Sequence, residues 1–408
     1  MTTTDIPTIA DPNESGARAA VRDFVARARG GDLGSAPVVA GLIVIWIVFE
    51  ILNPTFLSST NLVNLTMQSA AVGTIALGVV LVLLIGEIDL SVGSVSGLAS
   101  AVLAVGFVEL GMPLPVVLVA AVASGALVGL LFGLIRTRFG VPSFVITLAG
   151  LLGVLGVQLA VLGRTGSINL PFESWIVQFG TQWFLPAWLS YTLVVAAVGS
   201  YAWSQVVLAR RRTEARLPAV PLRTIIVRSV ALLVLLTAAA WYLNLSRGVG
   251  VMFALFLLLA ALTQLALTRT RWGRSVYAVG GNVEAARRAG IRVNRVYVSV
   301  FVLCSSLAAL GGVFAAARLA AANQSSGGGD TNLNAIAAAV IGGTSLFGGR
   351  GSALSAVLGV IVIMSITSGL ALINPDSSLR YIITGAVLLL AVVIDSLSRR
   401  SRAAAGRA

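Results

Sequence analysis

From Leu62 to Ile85 the chain reads LVNLTMQSAAVGTIALGVVLVLLI, twenty-four residues without one charged side chain, and runs of this kind recur almost to the C-terminal end. Each is long enough to cross about 30 Å of hydrocarbon as a helix. Inside lipid no water meets an exposed peptide group, so only helices and closed barrels can span. Barrel strands are about ten residues long and alternate in polarity; these runs do neither. The expected fold class is all-α, a polytopic transmembrane helical bundle. Composition agrees, with 57% of residues apolar, 11% charged and a mean hydropathy of +0.97, where a soluble chain is about a quarter charged. Twelve apolar segments are read, roughly 38–53, 62–85, 93–110, 114–135, 144–163, 188–208, 224–244, 249–268, 297–320, 335–347, 352–373 and 379–396. The tenth is too short to cross as a straight helix at about 1.5 Å per residue. It is expected to be a broken or half-spanning element shielded by its neighbours.

The formal net charge of +13 does not point to nucleic acid, because all 28 basic residues are Arg and most stand in short loops between apolar runs. That is how a membrane protein marks its cytoplasmic side. With the N-terminus inside, the inner loops collect Arg136 and Arg138, then Arg210, Arg211, Arg212, Arg216 and Arg223, then seven arginines between 269 and 295, then Arg350 and the tail from Arg399. The outer loops hold only Arg164, Arg247 and Arg380, with Arg318 near an outer end. The expected organisation is a cytoplasmic N-terminal tail over 1–37, a transmembrane domain over 38–396 and a basic cytoplasmic tail over 397–408. No cleavable signal is seen, since residues 1–37 are polar and carry five acids. Within them, 11–30 reads equally as a short amphipathic helix on the membrane surface or as a solvated tail. Residues 164–187, poor in Arg and broken by Pro171 and Pro186, are expected to form an irregular outer cap, with Trp175, Trp183 and Trp188 in the interfacial belt. Segments 62–163 and 297–396 each hold four apolar elements and enter from opposite sides, the pattern of inverted repeats.

Absences exclude most enzyme chemistry. The chain has no Lys and no His, and its one cysteine, Cys304, lies in an apolar segment. A P-loop lysine, a Schiff base, an internal disulfide and a cysteine-based metal site are all ruled out. No metal and no bound cofactor are expected. Energy for any work must come from an ion gradient or from another chain.

Three polar inserts interrupt the apolar pattern. In GEIDLSVGSV, residues 86–95, Asp89 and Ser91 stand where a side-chain oxygen can cap the next helix and close the turn before it. Gly93 and Gly97, one turn apart, offer a smooth face for helix packing. Against that capping role stands proton or cation coupling by Glu87 and Asp89, since an intramembrane acid is a site hypothesis. Their place at the inner, water-accessible end of the hairpin weakens the coupling reading. The second insert, 269–296, is long, basic and on the inner side. There Asn282 can N-cap a short helix through Ala285 and Ala286, with Glu284 at its positive start, Arg287 and Arg288 at its negative end and Gly290 as the left-handed exit. Two turns are marginal alone, so the helix is expected to dock on something; a solvated loop is the alternative. The third, NLNAIAAAVIGGTSLFGGRGS over 332–352, brackets the end of the tenth segment with Gly342, Gly343, Thr344, Gly348 and Gly349. Taken alone it reads as packing.

Together the three stretches resemble the membrane permease subunits of bacterial ATP-binding-cassette sugar importers of the ribose and xylose type. GEIDLSVGS resembles that family's GGIDLSVGS signature, with Glu87 in place of the second glycine, so backbone geometry there is expected to differ. RTRWGRSVYAVGGNVEAARRAGIRV resembles its cytoplasmic loop, and LNAIAAAVIGGTSLFGGRGS its late glycine-rich stretch. NPTFLSSTNLVNL (53–65) and GVPSFVITLAG (140–150) fit as well. The resemblance covers roughly 40–396 and implies that 86–95 and 342–349 form a hinge of a translocation pathway. It implies a coupling element at 282–290 for a separate ATPase, which binds the ATP. It further implies an extracytoplasmic binding protein, a second permease copy in a homodimer, and a place in the bacterial inner membrane. Residues 167–245 look like a two-helix insertion of the longer xylose-type form. The cargo implied is a monosaccharide, a pentose such as xylose. Two other readings stay open, a branched-chain amino acid permease and a proton-coupled secondary transporter using Glu87 or Asp89.

Overall fold

The structure is a computed structural model that describes residues 36–374 and scattered positions from 376 to 389. The surface helix considered for 11–30, most of the twelfth segment (379–396) and the basic tail lie outside the described residues. Helix α1 spans Ala36–Leu52, α2 Ser59–Leu84, α3 Val92–Ala104, α4 Leu114–Phe139 and α5 Ser143–Leu162. A π turn, Val105–Glu109, continues α3. Strand β1 (Ser167–Asn169) and the short α6 (Trp175–Thr181) precede a long hairpin, α7 (Ala187–Glu214) and α8 (Leu222–Asn244). Then follow α9 (Val251–Arg269), α10 (Arg271–Gly281), α11 (Val283–Arg288), α12 (Val293–Leu319), strand β2 (Ala321–Asn323), α13 (Asp330–Ile341) and α14 (Ala353–Ile373). Among the described residues nine helices are long and apolar enough to cross a membrane. The polytopic all-α bundle is therefore what this chain forms.

Helix α12 stands at the centre, packed by α2, α3 and α4. A helix that is apolar on every side belongs in an interior, and α2 obeys: from Ser69 to Leu84 all but Val72 are buried. Small residues allow the close approach, as in other lipid-embedded bundles. Gly78 lies against the Cys304 backbone, Gly125 against Ser305 and Gly312 against Ser96. Strands β1 and β2 pair antiparallel, Ser167 opposite Asn323, and tie the end of α5 to the end of α12. Helix α1 packs on α14 through Phe49, Ile366 and Leu370, and Trp46 Nε1 donates to Ser365 Oγ at 2.9 Å.

The hairpin α7–α8 sits apart. Of the α7 residues only Ser190 and Val198 are buried, and of α8 only Ile225 and Ala240. Its base is closed by hydrogen bonds, Leu185 N–H to the Val249 carbonyl (2.8 Å) and Val251 N–H to the Trp183 carbonyl (2.9 Å). The stretch before it is different: Ile168, Leu170, Ile176, Val177 and Phe179 are buried in the main core. So the peripheral part of 167–245 is the hairpin alone.

Two expectations about elements need correction. The short tenth segment is α13, 330–341 rather than 335–347. Gly343, at φ +102°, ends it: Gly343 N–H reaches the Val340 carbonyl (2.9 Å) and Thr344 N–H the Ala339 carbonyl (3.1 Å). This is the pair of hydrogen bonds of a left-handed helix stop. Likewise 269–296 is no loop, because α9 runs to Arg269 and α10 and α11 fill most of the remainder.

Candidate functional site

The break between α2 and α3 starts at Gly86, whose φ of +76° lets the chain turn out of the helix. Gly86 N–H bonds the Leu83 carbonyl (2.9 Å) and Glu87 N–H the Val82 carbonyl (3.2 Å). Glu87 is not among the residues with positive φ. The left-handed geometry thus rests on Gly86, and Glu87 stands in an ordinary backbone conformation. Its carboxylate instead makes an ion pair, Oε1 lying 2.8 Å from Arg136 Nη2 and accepting from Arg136 Nε at 3.0 Å. The same guanidinium lies 5.1 Å from the Tyr297 ring centroid, a distance at which a cation is attracted to the ring face. One side chain therefore joins the break, the end of α4 and the start of α12.

Residues 88–91 are non-helical, and buried peptide groups there need partners. Other helices supply them. Ile88 N–H donates to Ser143 Oγ (3.3 Å) and Leu90 N–H to Thr147 Oγ1 (3.1 Å), both on α5. Asn332 of α13 donates to the Leu90 carbonyl (2.6 Å). Asp89 Oδ1 accepts from Ser91 N–H (2.8 Å) and Ser91 Oγ (2.6 Å). The two residues close the turn as expected, but the expected helix cap is not made. Asp89 closes the turn, and Ser91, whose hydroxyl donates to Asp89, makes no side-chain cap to α3. The acids are also not open to water, with Glu87 9% and Asp89 2% exposed. The Asp89 loop lies between two spans, and burial pushes its carboxyl above the ordinary value while the Ser91 hydrogen bonds pull it down.

A second non-helical run, 324–329, packs on α3. A Cβ at Gly93 would overlap the Gly327 carbonyl, and one at Gly97 the Ser326 carbonyl. The smooth face at Gly93 and Gly97 thus receives the backbone of 326–327, with Asn332 of α13 beside Gly93 and the Gln158 amide of α5 beside Gly97. Gln158, wholly buried on α5, holds that backbone by donating Nε2 to the carbonyls of Ser326 (2.9 Å) and Asn323 (3.2 Å).

At the opposite end of the bundle from β1 and β2, the three polar inserts meet. Gly349 N–H donates to the Leu84 carbonyl at 2.9 Å. A Cβ at Gly280 would overlap that same carbonyl, and one at Gly348 would sit 2.9 Å from Gly86 N and 2.7 Å from the Gly280 carbonyl. Tyr277 OH donates to the Gly351 carbonyl at 2.8 Å. Directly beyond Gly281 stands α11. Asn282 Oδ1 accepts from Ala285 N–H at 2.9 Å. Gly290, at φ +82°, closes the helix with Ile291 N–H on the Ala286 carbonyl at 3.1 Å. Ala286 faces inward, while Glu284, Ala285, Arg287 and Arg288 are exposed. Glu284 and Arg287 pair at 3.0 Å on that surface.

A family model described as branched-chain amino acid transport system / permease component matches residues 61–392. The chain belongs to this family. It is 38% identical to the xylose transport system permease protein XylH of Escherichia coli (strain K12) over 89% of this chain and 92% of that protein. To XylH of Haemophilus influenzae it is 34% identical, over 85% and 91% of the two chains. To the ribose import permease protein RbsC of Escherichia coli (strain K12) it is 32% identical, over 87% and 91%. No solved structure matches the chain. This permease is a multi-pass membrane protein and a transport subunit without an ATPase site of its own; it contains no lysine for one.

In the permease, Gly86, Glu87, Asp89, Ser91 and Gly93 line one break, and Gly348 and Gly349 join them through Gly280. Gly342 and Thr344 pack elsewhere, against Ser355 at the start of α14, with Thr344 Oγ1 3.0 Å from Ser355 Oγ. Glu87 and Asp89 face different partners, Arg136 for the first and Ser91 for the second. Arg136, Ser143, Thr147, Gln158, Gly280 and Asn332 were not singled out by sequence reading. Gln158 carried a signal, the lone amide of an apolar run; Ser143 and Thr147 lie inside the quoted GVPSFVITLAG.

Proposed function

We propose that this permease forms the translocation pathway of an ATP-driven importer for a monosaccharide, a pentose such as xylose. An extracytoplasmic binding protein delivers the sugar, and a separate ATPase binds ATP and docks on α11. The pathway forms between two copies of the chain. The end carrying α11 faces the cytoplasm, as do both termini. The observation that carries this reading is the meeting of Gly280, Gly349, Leu84 and Gly86 directly behind the exposed α11. Displacement of α11 by a docked ATPase passes through backbone-to-backbone contacts, with no flexible side chain to absorb it. It reaches the Gly86–Ser91 break, where the hydrogen bonds to Ser143, Thr147 and Asn332 can be exchanged. The relatives named for xylose and ribose transport support a sugar as cargo.

A buried Asp89 keeps the proton-coupled reading as the rival. Purified permease, its ATPase and its binding protein in sealed vesicles separate the two. ATP-dependent xylose uptake without an ion gradient is expected. Gradient-driven uptake without ATP would overturn the proposal, and uptake of leucine in place of xylose would move the cargo to amino acids.

A further inference from the structure

The tip of the α7–α8 hairpin takes no part in the proposed pathway, yet it carries the densest charge among the described residues. Residues 209–228 hold six arginines, Arg210, Arg211, Arg212, Arg216, Arg223 and Arg228, against a single acid, Glu214. All six are exposed. Among the described residues none of them makes an ion pair or a side-chain hydrogen bond, whereas Arg136 and Arg287 both do. Among the described residues the protein body offers them no counter-charge, because the hairpin buries so little of itself.

Depth decides what does. Helix α7 has 28 residues, about 42 Å at its rise per residue, against about 30 Å of hydrocarbon. Its last turns therefore stand at the level of lipid headgroups. Trp203, 72% exposed, lies two turns before the arginines, and Leu217 (58%) and Leu222 (62%) flank the turn between the helices. Apolar anchors beside cations are the composition of a segment resting at the boundary of headgroup and acyl chain. Arg228 lies further into α8, where a long side chain can extend to the same level. A guanidinium matches phosphate oxygens with two parallel donors. Helices α8 and α9 each cross once more, so this tip lies on the same membrane face as α11.

We propose that residues 209–228 form a binding surface for anionic phospholipid headgroups, through which the α7–α8 hairpin is fixed to the membrane around the permease. This does not rest on the transport reading above. Charge complementarity favours lipid over an acidic protein surface because the exposed leucines and Trp203 need an apolar phase beside the cations.

The test uses the full chain in nanodiscs of phosphatidylcholine with and without phosphatidylglycerol. The lipid retained after mild delipidation is counted by native mass spectrometry. The variant Arg210→Gln/Arg211→Gln/Arg212→Gln/Arg216→Gln is compared with Arg271→Gln/Arg274→Gln/Arg292→Gln/Arg295→Gln, which removes equal charge from exposed positions on the same face. The tip variant is expected to bind phosphatidylglycerol about tenfold more weakly or worse, and the control to keep most of its affinity. Equal retention by the tip variant and the parent overturns the proposal, as does equal loss in both variants. Competition by free inorganic phosphate at the same phosphate concentration overturns it too, because the site would then be a bulk anion site. Unchanged phosphatidylglycerol binding with loss of a copurifying ATPase reassigns the tip to a protein contact and also overturns it.

Discussion

Asp89 is shut off from water and held by Ser91 on Oδ1 and by the Cys304 thiol on Oδ2, so its charge and its Oδ1 hydrogen bonds can be tested separately. Burial raises its pKa above the ordinary 3.8 because the charged form loses its water. The folded chain then keeps a proton that the unfolded chain has released. Stability therefore falls as pH rises from the unfolded value through the raised folded one. Asparagine keeps the Oδ1 acceptor without the charge. Asp89→Asn is expected to match the parent near about pH 4 and to exceed it increasingly above, by at most about 1.4 kcal/mol per pH unit. Thermal midpoints in detergent across that range measure this, and a pH-independent difference would show that Asp89 does not titrate on unfolding. The Glu87–Arg136 pair makes a different prediction. Glu87→Gln or Arg136→Gln alone strands a largely buried charge and is expected to lose about 1–3 kcal/mol. The double variant should lose less than the sum of the two; additive losses would mean that the pair is not coupled.

At the scale of elements, α11 is two turns that few contacts hold. Gly290→Val forces a left-handed position on a branched residue, a strain above about 1 kcal/mol. Glu284→Ala removes a charge at the helix start worth about 0.3–1 kcal/mol. Both are expected to insert and accumulate normally, while ATPase copurification and uptake fall. If Gly290→Val copurifies and transports like the parent, α11 is not the docking element. The long helices were legible because an apolar run of twenty or so residues has few other fates, and the caps of α11 were legible because Asn282 and Gly290 act within four residues of their targets. Helix α10 was not, since Arg271–Gly281 buries only Gly273, Val276 and Val279 and its glycines and arginines read as loop. The lower bound of α13 was missed because its first turn, Asp-Thr-Asn, is polar. The partners of the α2–α3 break stayed hidden for another reason: Arg136, Thr147 and Asn332 lie 49, 57 and 242 residues from the groups they bond. One sequence carries no record of such pairing.

Across the whole molecule the hairpin α7–α8 behaves as an appendage on a compact body. Its two ends are already hydrogen-bonded through Leu185 and Val249, so residues 187–247 can be replaced by a short glycine linker without stretching the chain. Two crossings leave together, and every later helix keeps its direction. The shortened permease is expected to remain monodisperse, losing about 1 kcal/mol for each bond between α8 and the start of α2, such as Tyr242 OH to the Leu57 carbonyl. Size-exclusion profiles and thermal midpoints check this; aggregation or reversed labelling of later loops would show that the hairpin is integral. Helix α13 has the opposite character. With twelve residues it is about 18 Å long, and the run before it is polar and glycine-rich. Machinery that admits segments to the bilayer one by one, by their greasiness, finds nothing here to admit. Residues 320–341 must then enter late, guided by fit against Gly93, Gly97 and Gln158, which are already in place. Assembly of this region is selection by shape rather than by solubility, and errors at those three distant positions would surface as half-threaded chains cleared by proteolysis.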